Sequence, residues 1–209
     1  MGGLRVGIDI GGSEAKIGLV ASSGEILARG KVPTREAETA ADLVNHICDA
    51  VSDLLAHAGG RPLVGIGVGV PGYVTPEGLP EFTNVPVLNG YPIARRLSEV
   101  FGVPAGIDND ANVAVLAEYR HGGGHGARRL MLVTGGTGIG VAVILDGALV
   151  KFTGGSTGSI GHIIVNPYSE DRCAAGCRGC LETLATAPAL ERRAERAAVA
   201  HPESLLAER

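Results

Sequence analysis

The chain opens on alternating apolar and polar positions, the signature of a half-buried strand. Leu4 to Ile10 reads as a short strand, Gly11-Gly12-Ser13 as a turn, and Ala15 to Ala21 as the strand returning from it. Ser23-Gly24 makes the next turn and Ile26 to Val32 a third strand, so three antiparallel strands come first. The period then changes. From Glu36 to about His57 the apolar residues Ala40, Leu43, Val44, Ile47, Val51, Leu54 and Leu55 recur at helical spacing, and Gly59-Gly60 ends the run. Leu63 to Val70 predicts a buried strand, Ile93 to Val100 a short helix and Pro104 to Ile107 a short strand. Asp110 to Arg120 predicts a helix whose first residues can cap it.

A glycine run, His121 to Gly126, reads as a mobile linker, and beyond it the opening pattern returns. Leu130 to Thr134 is an expected strand, Gly135-Gly136-Thr137 a turn and Ile139 to Leu145 a strand. Asp146-Gly147 is a hairpin signal, with Ala148 to Phe152 as a third strand. The Gly-Gly-Ser turn of the first half therefore recurs as Gly-Gly-Thr in the second. A repeat on this scale predicts two similar lobes, each opening with a glycine-turn hairpin. Strands followed by alternating helices and strands give an α/β architecture.

Composition narrows the functions available. The 209 residues are 45% hydrophobic and 19% charged, and no apolar run approaches the ~18 residues of a membrane-spanning helix. Strand pattern begins at once, with no basic-then-apolar leader, so a cytoplasmic location is expected. A net charge of −4 argues against a nucleic-acid surface. The 33 glycines imply tight turns and close backbone approach to a ligand. Three of the four cysteines fall between Cys173 and Cys180, a spacing that favours metal binding over disulfides.

Glycine turns of this kind expose backbone N–H groups beside a hydroxyl, which suits phosphate oxygens. Two copies at matching points of two lobes can face each other across a cleft. Asp9, just before the first turn, is placed to hold a metal-bound water near those phosphates. Gly67 to Gly72 matches a dinucleotide fingerprint in letters only. Pro71-Gly72 leads into Tyr73-Val74 and another turn rather than into a helix, so that reading is rejected.

Asp108-Asn109-Asp110-Ala111-Asn112 resembles the Glu/Asp-Asn-Asp-Ala-Asn motif of the ROK sugar kinases. Asp-Ile-Gly-Gly-Ser at 9–13, Gly-Thr-Gly-Ile-Gly at 136–140, Gly161-His162 and Gly179-Cys180-Leu181-Glu182 follow the family's order. The resemblance covers essentially the whole chain. It implies an actin/hexokinase-like, ribonuclease-H-like two-lobe ATPase fold with the second lobe incomplete. Residues 1–108 would form the first lobe and 109–209 a partial second lobe, with a cysteine-rich zinc segment at 162–180. Asp110 matches the catalytic base. Asn84, Asn109, Ser159, His162 and Glu182 match sugar contacts. Asp9, Gly11, Gly12, Ser13, Gly136, Thr137 and Gly138 would surround the ATP phosphates, with Mg2+ as companion ion. His162, Cys173, Cys177 and Cys180 would hold a structural Zn2+. Sugar and ATP are the expected partners, with a homodimer as the expected assembly and neither nucleic acid nor membrane involved.

Three features depart from the family pattern. Ser159 stands where a glutamate is usual, and losing that charged partner weakens sugar binding by about 1.5–3 kcal/mol. Ala175 occupies the place of the middle cysteine, with Cys177 two positions on. Family chains also run well beyond this length. The leading expectation is ATP-dependent phosphorylation of a hexose, glucose first, with an N-acetylated hexosamine or mannose as variants. A non-catalytic sugar sensor or an inactive paralogue is the alternative. Family repressors carry a helix-turn-helix ahead of the sugar-binding body, and Asp9 falls too early to leave room for one.

Overall fold

Four apolar side chains on one face decide the first strand. Leu4, Val6, Ile8 and Ile10 of β1 (Leu4–Ile10) are buried, while Arg5, Gly7 and Asp9 point the other way and are exposed. The structure is a computed structural model describing residues 2–81, 85–151 and 160–208. Asn84, Ser159 and Phe152 lie outside the described residues. β2 (Glu14–Val20) returns antiparallel, burying Ala15, Ile17 and Leu19, and β3 (Ile26–Pro33) pairs with it in the same sense.

The long helix α1 (Ala40–Ala56) starts four residues later than its periodicity suggests. A capping box sets the start: the Thr39 hydroxyl accepts from Asp42 N, and the Asp42 carboxylate accepts from Thr39 N. Leu43, Val44, Ile47, Cys48 and Val51 are its buried residues, and they join the core with the β1 and β2 side chains. Cys48 is thus core packing, as its apolar setting suggests. Burial pushes its thiol above the ordinary value.

β4 (Leu63–Val70) lies parallel to β1. After it, Pro71-Gly72 leads into the small hairpin of β5 (Tyr73–Val74) and β6 (Pro80–Glu81), so no helix follows the apparent fingerprint. α2 (Ile93–Phe101) ends on Gly102 at φ 66°, the left-handed cap that glycine adopts without strain. β7 (Ala105–Asn109) completes a five-stranded sheet in the order β3-β2-β1-β4-β7, parallel to β4.

α3 (Asp110–His121) follows β7 with no intervening loop. It packs on a second, three-stranded antiparallel sheet built from β8 (Arg129–Gly135), β9 (Ile139–Leu145) and β10 (Ala148–Leu149), in the order β10-β9-β8. Ala111, Val115, Ala142 and Ile144 form that smaller core. The β1-β2-β3 ribbon is thus repeated as β8-β9-β10, as the recurring glycine turn predicts. Two differences separate the copies. β10 stops at Leu149, and among the described residues β8 is a sheet edge whereas β1 is paired on both sides. Met131 and Val133 on β8 are accordingly 61% and 59% exposed.

The glycine run between α3 and β8 is a set of bonded turns rather than a free linker. Gly122 N and Gly124 N both donate to Glu118 O, and Gly123 N to the Glu118 carboxylate. The chain closes with α4 (Glu182–Ala185) and α5 (Ala187–Ala200), the latter capped by the Thr186 hydroxyl. No helix among the described residues is long and apolar enough to cross a membrane.

Candidate functional site

A glycine hairpin can bind an anion only if its N–H groups are not spent on the protein itself. In the first hairpin the carbonyls are spent instead. Gly11 O accepts from the Thr34 hydroxyl (2.9 Å), Gly12 O from Arg35 Nε (3.2 Å) and Ser13 O from Thr34 N (3.0 Å). Gly11 N closes the turn onto Glu14 O at 3.0 Å. Among the described residues nothing accepts from the N–H groups of Gly12 and Ser13. The second hairpin is tightened in the same manner by Gly136 N onto Gly138 O (3.0 Å), which leaves Thr137 N and Gly138 N without a described acceptor. Gly136, Thr137 and Gly138 are exposed. Each turn is therefore a nest of outward N–H groups with a hydroxyl beside it.

The strands that lead into the first hairpin and out of the second both pass close to the first turn of α3. Asp9, at the end of β1, is the register partner of Gly69 on β4. A Cβ on Gly69 would stand 3.8 Å from the Cα of Asp110. One residue on, the Ala111 methyl would lie 3.3 Å from a Cβ on Gly140, at the start of β9. At Gly140 a side chain would crowd Thr134 and Ala111, whereas at Gly69 the spacing is ordinary van der Waals contact.

Asn109 caps that helix. Its Oδ1 accepts from Ala111 N (2.9 Å) and Asn112 N (3.3 Å), and its Nδ2 donates to Gly72 O (2.8 Å). The same side chain also hydrogen-bonds the Asp110 carboxylate, so both of its amide N–H groups have protein partners. Asp110 does not serve as the cap, although its Oδ1 also accepts from Ala111 N at 2.8 Å. The residue is exposed, yet protein crowds its carboxylate. That crowding pushes its pKa above the usual carboxylate range, and the Asp9 charge adds to the rise. Hydrogen bonds from Ala111 N and the Asn109 side chain oppose it.

Glu182 ties the second hairpin to the histidine and cysteine cluster. One carboxylate oxygen accepts from Ile139 N at 2.9 Å; the other lies 3.7 Å from His162 Nδ1. Gly138 and Gly161 give it room, since a Cβ on either would come within 2.9 Å of its Oε1. Sequence reasoning had marked Glu182 for the sugar alone. Its bond to Ile139 carries no local signal, because the partners are 43 residues apart.

His162, Cys173 and Cys177 bring their ligand atoms within 4.8 Å of one another, a spacing that fits tetrahedral zinc. Cys173 N donates to Cys177 O at 3.0 Å and Gly176 N to Cys173 O at 2.9 Å, closing the loop that presents both thiols. Cys180, expected as a fourth ligand, stands outside this trio. It is fully buried, bridged through its backbone to Ile164, with its thiol hydrogen-bonded to Cys173. Burial acts to raise the Cys173 pKa but is outweighed by bonds from the Ala175 and Cys177 backbone and the neighbouring thiols, which hold it low. His121 and His125 join no such cluster among the described residues.

Comparison with known proteins identifies the family and the fold. The ROK family pattern matches residues 5–208. A glucokinase of Halalkalibacterium halodurans is 35% identical over 205 residues, covering 97% of this chain and 62% of its own. An N-acetylmannosamine kinase of Vibrio cholerae is 33% identical over 193 residues, covering 90% and 63% respectively. The structure of a ROK family glucokinase from Streptomyces griseus, in complex with glucose and AMPPNP, superposes with a TM-score of 0.77 at 35% identity. It covers 96% of this chain and 63% of that one. This chain therefore spans somewhat under two thirds of the length of these relatives. Its mixed α/β fold is that of the actin/hexokinase-like ROK sugar kinases, represented in part. With the match running from residue 5 to residue 208, the chain belongs to the ROK family.

Proposed function

We propose that this chain carries the catalytic centre of an ATP-dependent hexose kinase, with glucose as the first candidate substrate and the sugar 6-phosphate as product. One observation carries the reading: two glycine turns whose N–H groups have no described acceptor lie on strands, β1 and β9, that approach the helix turn bearing Asp110. The N–H groups of Gly12, Ser13, Thr137 and Gly138 hold the ATP phosphates, helped by the Ser13 and Thr137 hydroxyls. Gly11 and Gly136 shape the two turns. Asp9 is the residue that would orient Mg2+ through water, and that ion supplies charge neutralisation on the phosphates.

Asp110 accepts the proton of the sugar hydroxyl as that oxygen attacks the γ-phosphorus. The bond from the γ-phosphorus to the bridging oxygen breaks, and ADP leaves. Most of the rate comes from holding acceptor and donor in line, so Asp110 orients the hydroxyl as well as taking its proton. Asn109, the Glu182 carboxylate and His162 are the proposed sugar contacts, with Asn84 and Ser159, outside the described residues, as further candidates. ADP release coupled to a sugar panel tests this. Release that requires a sugar and vanishes in Asp110→Ala supports the kinase. Sugar-dependent thermal stabilisation without turnover supports a sensor instead, the reading that the serine at position 159 favours.

His162, Cys173 and Cys177 would hold a structural Zn2+, with Cys180 as the fourth donor beside Cys173. The ion would lock the 162–180 segment and, through His162 and Glu182, the second hairpin. Metal analysis of the purified protein should find about one zinc per chain, as expected of a four-donor site. Cys177→Ser should lose it and lower the melting temperature. A folded, zinc-free wild-type protein would contradict the assignment.

A further inference from the structure

Among the described residues an ion pair joins the two sheets beside the first turn of α3. Lys151 Nζ, just past β10 of the second sheet, lies 2.5 Å from Asp108 Oδ2 on β7 of the first. The other oxygen of Asp108 is also spoken for: Oδ1 accepts from Asn109 N at 2.8 Å and from Asn112 Nδ2 at 2.9 Å. Asn112 is 1% exposed, so this hydrogen bond is made inside the packed first turn of α3. Asp108 thus grips the helix start from both sides of Asp110, by the backbone of the residue before it and the side chain two after it.

Charge explains why a lysine is required. Asp108 pairs in register with Gly69, which pairs with Asp9, so the two carboxylates lie at the same sheet end with β4 between them, next to the helix start that carries Asp110. Without Lys151 the Asp108 Oδ2 would lose its partner, and the carboxylate would be held only by its Oδ1 bonds to Asn109 N and Asn112 Nδ2. Lys151 supplies the opposite charge from the far sheet. At 18% exposure the Asp108 side chain is screened less than a surface carboxylate.

We propose that Lys151 is a positioning residue for phosphoryl transfer: by holding Asp108, it fixes the first turn of α3 and the direction in which Asp110 projects. The proposal rests on Asp110 being the base. A displacement of about 1 Å at a reacting group can cost on the order of a hundredfold in rate, so the effect falls on kcat. Arginine keeps the charge and can reach the same carboxylate.

The test combines steady-state kinetics with backbone amide NMR of wild type, Lys151→Met, Lys151→Arg, Asp108→Asn and the double variant Lys151→Met/Asp108→Asn. Lys151→Met should lower kcat about ten- to a hundredfold, with KM for sugar and for ATP near wild type, and Lys151→Arg should recover most of it. Asp108→Asn should give a similar loss, and the double variant little more than either single one, because both act through one contact. Amide resonances of Asn109 to Asn112 should shift in Lys151→Met. A wild-type kcat in Lys151→Met overturns the inference, as does a loss confined to KM for ATP, which would make Lys151 a phosphate contact. Should wild type phosphorylate no sugar, the proposed function falls. The amides then decide: unmoved resonances at 109–112 in Lys151→Met overturn the positioning role, and displaced ones sustain it.

Discussion

Replacing Asp110 by asparagine should abolish sugar-dependent ADP release while making the protein more stable at neutral pH. The activity loss follows from the proposed role. A positioned general base contributes about 10²–10⁴-fold, and asparagine can accept a hydrogen bond but not a proton at that oxygen. The stability gain follows from the environment. Crowding by protein and the nearby Asp9 raise the carboxyl pKa above its unfolded value. Between the unfolded and folded values the native state binds more protons, so stability falls as pH rises through that interval. The penalty is fully present above the folded pKa and absent below the unfolded one. Asparagine removes it and still accepts from Ala111 N. Melting curves of the two proteins should therefore separate at pH 7 and converge in acid. Equal melting temperatures across that range would contradict the crowded setting, and retained turnover would contradict the base.

The second large effect is expected at Glu182. Alanine there leaves Ile139 N, at the root of the second hairpin, without its 2.9 Å acceptor. An unsatisfied N–H costs about 1–3 kcal/mol. His162 also loses the carboxylate beside it, and removing such a partner typically lowers metal affinity about ten- to a hundredfold. Glutamine keeps an oxygen for Ile139 and loses only the charge facing His162. The expected result is a graded series in kcat/KM and zinc retention, with Glu182→Gln intermediate and Glu182→Ala far lower. An alanine variant with wild-type zinc content and activity would show that the hairpin and the cysteine segment are independent.

Much of this site can be read along the chain because its parts are local. Each glycine turn is contiguous, each is flanked by period-2 strands, and the β7 to α3 junction falls at the expected Asp110. The repeat was visible for the same reason, since Gly-Gly-Ser and Gly-Gly-Thr serve one backbone geometry twice. The beginning of α1 was misplaced because periodicity locates an apolar face, whereas Thr39 and Asp42 locate the cap. Two features were invisible. The Lys151–Asp108 pair and the Glu182–Ile139 bond join residues far apart in sequence, and long-range pairing leaves no local pattern.

Placement of both hairpins around one polyphosphate is the central claim, and amide NMR with magnesium and a non-hydrolysable ATP analogue tests it most directly. Resonances of Gly12, Ser13, Thr137 and Gly138 should shift together along one saturation curve, and inorganic phosphate alone should move them less. Movement at a single hairpin, or two curves with separate midpoints, would mean that the turns do not share a ligand and would contradict the account.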